Sequence, residues 1–209
     1  AVFMLREAAS LCPRIETLGP IAHNRILMSQ LEDLGVVTVS STSDLSGPPV
    51  VISAHGLAPD TIAELERRGL DSIDTTCPIV ARAQAIAARL ADDGFTVVIF
   101  GDSGHTEVKG LLGWAGTTAI ASTHGRTLLD TGALDNAKKI AVIAQTTQPV
   151  EDFTRFVATL CETLSVVTVE LHVVNTLCDA TRNRLRAAVD LARQVDVMLV
   201  VGGKHSANT

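Results

Sequence analysis

Short apolar runs rich in β-branched residues alternate along this chain with amphipathic stretches, and that alternation constrains the fold more than any other feature. The runs are Val36–Val39, Val50–Ser53, Thr96–Phe100, Thr118–Ala121, Ile140–Ala144, Val166–Leu171 and Val197–Val201. They are short and nearly all apolar, as strands buried on both faces of a parallel sheet are. Between them the spacing predicts helices over Asn24–Leu34, Pro59–Arg68, Ile79–Asp92, Val150–Thr163 and Thr181–Val195. In the third of these, Ile79, Ala83, Ile86, Ala87 and Leu90 share one face, with Arg82, Arg89 and Asp93 opposite. This is the βαβ rhythm of an α/β fold with parallel sheets. Boundaries near Cys77 and Val174 divide it into residues 1–77, 78–174 and 175–209: two small α/β domains and the opening of a third.

Composition narrows the function. With five Phe, one Trp and no Tyr, the core is built from Ala, Val, Leu and Ile, and no aromatic platform is available for stacking bases. Seventeen Lys and Arg against 23 Asp and Glu leave a net charge of −6, which disfavours a nucleic-acid partner. No apolar run approaches the ~18 residues of a membrane span, and no signal peptide opens the chain. Four Cys are too few for a disulfide scaffold and point to a reducing, cytoplasmic compartment. No G-x-G-x-x-G follows a strand and no G-x-x-x-x-G-K-[ST] occurs, so neither a dinucleotide fold nor a P-loop NTPase is expected. The absence of an initial Met, and a terminus directly after an apolar run, mark both ends as cut.

Ligands of open α/β sheets bind beyond the carboxyl ends of the strands, so polar groups in those loops are the candidates for chemistry. They include His23-Asn24, Ser53-Ala54-His55-Gly56, Asp74-Thr75-Thr76-Cys77-Pro78, Gly104-His105-Thr106-Glu107-Val108 and Gln145-Thr146-Thr147. Cys178 with Ala180-Thr181, and Gly202-Gly203-Lys204 with Ser206 and Asn208, complete the set. Taken singly, such residues are helix caps or solvated surface groups. As a set they rim a pocket suited to an oxyanion, a phosphate or diphosphate above all. Cys77 and Cys178 open helices, where a thiol has a lowered pKa and serves as a thiolate ligand. Cys161 lies in an amphipathic stretch and is expected in the core, and Cys12 has no motif around it. Glu107, in a Gly-rich loop, is the best candidate for a proton donor: shielded beside an anion, its carboxyl would be held protonated.

These strings, in this order from Gly19 to Thr209, resemble the LytB/IspH family of hydroxymethylbutenyl diphosphate reductases of the non-mevalonate isoprenoid pathway. The resemblance implies a pseudo-threefold arrangement of small α/β domains around a [4Fe–4S] cluster held by one Cys from each domain. The iron without a thiolate would face the allylic hydroxyl. A ferredoxin or flavodoxin would supply two electrons, releasing water and giving isopentenyl and dimethylallyl diphosphates. Carried over by position, Cys77 and Cys178 are cluster ligands. His23, His55, Ser206 and Asn208 bind the diphosphate, His105 sits near the diphosphate or hydroxyl, Glu107 delivers the proton, and Thr146 helps hold the hydroxyl end. The chain departs from the pattern in three ways. It lacks the family's first Gly-Phe-Cys-x-Gly-Val motif, it stops where the third domain continues, and His205 and Ala207 flank Ser206 in place of the usual Asn and Ser. Two other readings remain open: a cluster-free diphosphate-binding homologue, and a generic phosphosugar-binding α/β module.

Overall fold

Strands whose side chains are buried on both faces require a sheet covered on both sides, and both sheets of this protein are of that kind. The structure, a computed structural model, describes residues 2–22, 24–164, 168 and 170–203. His23, Ser206 and Asn208 therefore lie outside the described residues, as does part of the expected strand Val166–Leu171. The chain separates into two compact units, Ala1–Ala81 and Arg82–Val201. Among the described residues, no helix is long and apolar enough to cross a membrane.

The first unit runs α1 (Val2–Leu11), β1 (Ile15–Leu18), α2 (Arg25–Glu32), β2 (Val36–Val39), β3 (Val50–Ile52), α3 (Pro59–Arg67) and β4 (Ser72–Asp74). All pairings are parallel, in the order β2-β1-β3-β4. The side chains obey the two-residue period of a strand. Val51 joins Ile15, Leu5 of α1 and Leu31 of α2 on one face, while Val50 and Ile52 join Leu45 and Leu65 of α3 on the other. Gly35, between α2 and β2, has φ +86°, and a Cβ there would run into the Pro13 carbonyl, so only glycine fits this turn.

The second unit repeats the plan. It runs α4 (Pro78–Asp92), whose first residues still belong to the first unit, then β5 (Thr96–Phe100), α5 (Thr106–Ala115), β6 (Ile120–Ser122), α6 (Gly125–Asp130), β7 (Lys139–Ala144), α7 (Val150–Leu164), β8 (Glu170–Val173) and α8 (Asp179–Ala192). Its order is β6-β5-β7-β8, again all parallel. Val97, Ile99, Ala141 and Ile143 pack against α4 and α5, and Val98, Phe100, Ile140 and Val142 pack against α6 and α7.

Several expectations are corrected here. β1 and β4 form where none was expected, because each mixes polar residues into its run. α1, α5 and α6 are likewise additional helices. Val197–Val201 forms no strand among the described residues: it lies open to solvent, with Val201 96% exposed. A strand needs a neighbour to take up its ladder hydrogen bonds, and this run has none there. Cys161, expected in the core, is exposed on α7.

Glu16 in β1 is fully buried beside Val50. Its carboxylate accepts from the Ser46 N–H (2.8 Å) and hydroxyl (2.6 Å) and from the Arg14 guanidinium (2.9 Å). Burial pushes this carboxyl up, but the Ser46 hydroxyl and amide together with Arg14 outweigh it and hold it below the usual range. A depressed carboxylate adds stability above its ordinary pKa that is lost as pH falls through the folded value. Glu16→Ala, which orphans the Ser46 amide, is expected to cost about 1–3 kcal/mol in urea denaturation at neutral pH and to flatten the acid limb of the stability profile. Arg14→Ala, removing a half-exposed partner, should cost under about 1 kcal/mol.

Candidate functional site

In each sheet the first and third strands lie side by side, and the helices that follow them leave to opposite faces. After β5 the chain enters α5 on one face, and after β7 it enters α7 on the other. The two loops part and leave a crevice at the carboxyl edge, the usual ligand position of such sheets. Gly101 closes the β5 side: a Cβ there would meet Gln145 Cβ at 2.8 Å and Val108 Cγ2 at 2.9 Å. Buried Gln145 braces the loops. Its Oε1 accepts from the Asp102 N–H (3.2 Å) and from Gln148 Nε2 (3.1 Å), and its Nε2 donates to Thr147 Oγ1 (3.1 Å).

Glu107 stands in the first turn of α5 and is 1% exposed. Its Oε1 accepts from the Thr146 N–H at 2.6 Å and its Oε2 from the Thr146 hydroxyl at 3.0 Å. Burial pushes the Glu107 carboxyl above its ordinary range, and the two bonds from Thr146 lower it without reversing the direction. His105 is the N-cap of α5: its Nδ1 accepts the Glu107 N–H at 3.2 Å, which assigns the ring proton of the neutral form to Nε2. The Thr146 carbonyl in turn accepts the Cys178 N–H at 2.8 Å. Thr146 therefore ties the carboxyl of Glu107 to the start of α8, so four expected residues meet in the second unit: His105, Glu107, Thr146 and Cys178. The groove of about 580 Å³ between α6 and α7, lined by His124, Arg126 and Phe156 among others, contains none of them.

The first unit has the corresponding crevice between the loops after β1 and β3. Buried Ser53 follows β3 directly. Its hydroxyl lies 3.3 Å from His55 Nδ1 and accepts the His55 N–H at 3.4 Å. Cys77 donates its N–H to the Ala54 carbonyl at 3.0 Å, which places the cysteine loop against the histidine loop. Asn24 caps α2, its Oδ1 accepting the Leu27 N–H at 3.1 Å. All four cysteines are free thiols, and Cys77 and Cys178 are half-buried. Among the described residues, no group of three or more His, Cys, Asp and Glu side chains is gathered to hold a metal.

Gln145, Thr75 and Thr176 are structural contributors to these loops that sequence reasoning left without a role. A signal for the threonines was available: both candidate cysteines are preceded by Thr at the second position and by Asp or Asn at the third.

Comparison with known proteins agrees with this geometry. The sequence model of the family described as LytB protein matches residues 1–209. The 4-hydroxy-3-methylbut-2-enyl diphosphate reductase of Dehalococcoides mccartyi strain BAV1 is 44% identical over 209 residues, spanning 100% of this chain and 73% of that protein. The enzyme of the same name from Pelobacter propionicus is 38% identical, over 100% of this chain and 72% of its own. A solved structure of (E)-4-hydroxy-3-methyl-but-2-enyl diphosphate reductase superposes with a TM-score of 0.75 at 32% identity, covering 99% of this chain and 73% of that one. The Plasmodium falciparum E-1-hydroxy-2-methyl-but-2-enyl-4-diphosphate reductase shares the fold, with a TM-score of 0.85 at 24% identity over 99% of this chain and 65% of its own. With a family match over its whole length and relatives that are reductases by name, the chain belongs to the LytB family.

Proposed function

We propose that this protein reduces 4-hydroxy-3-methylbut-2-enyl diphosphate, releasing the allylic hydroxyl as water and giving isopentenyl and dimethylallyl diphosphates. The observation that carries the reading is a buried glutamate with a raised pKa, joined through one threonine to a cysteine at a helix start. Membership of a family whose named relatives are reductases of this substrate supports it.

The C–O bond breaks with uptake of two electrons. Glu107 gives one proton to the departing hydroxyl, which leaves as water, and a second proton goes to the remaining allyl fragment. Protonated Glu107 suits this step because burial keeps it an acid at pH values where a solvated carboxyl is ionised. Thr146 is a switchable partner: its hydroxyl donates to the carboxylate, and by rotating it accepts from the carboxylic acid. In this reading His105 donates toward the substrate from Nε2. His23, His55, Ser206 and Asn208 hold the diphosphate.

Cys77 and Cys178 would be two of the thiolate ligands of a [4Fe–4S] cluster, for which a ferredoxin or flavodoxin would be the electron donor. The residues fit: both thiols are free and half-buried, and each stands at a helix start. When bound, the cluster supplies reducing electrons and Lewis acidity. Residues 175–209 open a third domain in this reading. Gly101 follows Cys77 by 24 positions and Gly202 follows Cys178 by 24, so Val197–Val201 occupies the register of β5.

Anaerobic purification and reconstitution with iron and sulfide test the proposal. A brown protein that turns over the allylic diphosphate with a reduced dye is expected, and a protein that stays colourless would overturn it. Cys178→Ser should abolish the colour, whereas Cys161→Ser should leave it intact. Because the acid form of Glu107 is required, turnover should fall as pH rises through its raised pKa. Glu107→Gln should slow turnover by ~10²–10⁴-fold and remove that alkaline limb while diphosphate binding persists. The sign for stability is opposite to that of Glu16. Folded Glu107 keeps its proton where the unfolded chain has lost it, so folding stability should decline between the ordinary and the raised pKa, and the Gln variant should lack that decline.

A further inference from the structure

The two segments that deliver Cys77 and Cys178 share three corresponding hydrogen bonds. In the first unit, Asp74 Oδ1 accepts the Thr76 N–H (2.8 Å), the Thr75 hydroxyl donates to the Ile52 carbonyl (2.6 Å), and the Cys77 N–H donates to the Ala54 carbonyl (3.0 Å). In the second, Asn175 Oδ1 accepts the Leu177 N–H (3.0 Å), the Thr176 hydroxyl donates to the Ala144 carbonyl (2.6 Å), and the Cys178 N–H donates to the Thr146 carbonyl (2.8 Å). Each threonine is buried and anchors to the last residue of the third strand, β3 or β7, while each cysteine anchors two residues further on. Thr176 also accepts the Ala144 N–H at 2.8 Å, so its hydroxyl takes both backbone groups of one strand residue and stands in for a missing strand partner. The cysteine carbonyls are engaged as well, by the Ala81 N–H (2.9 Å) and the Arg182 N–H (3.0 Å). With the backbone held at N–H and C=O, the thiol keeps little freedom beyond its own χ1 rotation.

We propose that Thr75 and Thr176 are positioning residues whose hydroxyls fix the Cys77 and Cys178 thiols for ligation, a role that rests on reading those cysteines as cluster ligands. The chain uses one four-residue cradle, Asp or Asn, Thr, any residue, Cys, in both units. Its threonine hydroxyl ties the cysteine loop to the strand end that also carries the substrate-facing loop: His55 in one unit and Thr146 in the other. Ligand placement and substrate-side placement are thereby set by the same strand terminus.

The test compares Thr176→Val, which removes the hydroxyl at nearly constant volume, with Thr176→Ser, which keeps it. In the reduced, cluster-free protein, alkylation of Cys178 by iodoacetamide is followed by mass spectrometry, with exposed Cys161 as internal reference. Thr176→Val should speed Cys178 labelling about tenfold, equivalent to about 1.4 kcal/mol of lost hydrogen bonding, with Cys161 unchanged, and Thr176→Ser should restore the slow rate. In the reconstituted protein the Val variant should lose iron to a chelator faster and show an altered electron paramagnetic resonance line shape, again restored by Ser. Leu90→Ala, a destabilising change on α4 against the opposite face of the sheet, serves as control. Unchanged labelling in Thr176→Val overturns the proposal. So does a Ser variant that behaves like Val, or a Leu90→Ala variant that labels equally fast. A wild-type protein that stays colourless sinks the cluster reading alone, because the labelling experiment still reads the cradle.

Discussion

A parallel sheet covered on both faces has one edge to offer for chemistry, the carboxyl ends of its strands, and the rest of this structure depends on that constraint. Helices shield both faces of each sheet at its central strands, β1 and β3 in one unit and β5 and β7 in the other, so that polar side chains there, such as Glu16 and Thr17, are buried. The loops beyond the first and third strands diverge because α5 and α7 pack on opposite faces, as α2 and α3 do in the first unit. The histidines, threonine and glutamate are gathered there by connectivity. Two units with the same strand order present two such crevices, and the same four-residue cradle closes each.

Two buried glutamates show how local donors decide acid strength. Glu16 and Glu107 are both shielded from water, and desolvation is the largest influence on each. Glu16 meets a hydroxyl, an amide and a guanidinium, and together these outweigh burial and keep it ionised. Glu107 meets only an amide and a hydroxyl, both from Thr146, and burial prevails. The same side chain is thus a carboxylate clamping a loop in one unit and a carboxyl raised above its ordinary range in the other. The difference in partners is a single donor, the Arg14 guanidinium cation.

Much of this was legible in the chain. β2 and β5 begin and end where their apolar runs do, and α3, α4 and α7 lie within a residue or so of their expected spans. β1 was not legible because Glu16 and Thr17 interrupt it, and what lets Glu16 sit in a buried strand is Ser46, thirty positions away. β4, Ser72–Asp74, is an edge strand only three residues long, recognisable once β3 is beside it. α5 was hidden by its glycines, which read as loop. Cys161 lies on an amphipathic helix, yet the face it occupies turns out to solvent.

The sequence by itself determined the fold class, the strand-end loops that carry the polar motifs, and the identity of the residues that define the family, because apolar periodicity and motif order are local properties of the chain. Only the tertiary structure decided which of those residues meet and in which direction their acid strengths move. The bonds from Thr146 to Glu107 and Cys178, the burial that raises one glutamate, and the donors that lower the other all join residues far apart in sequence. Their energies depend on solvent exclusion, which no local pattern records.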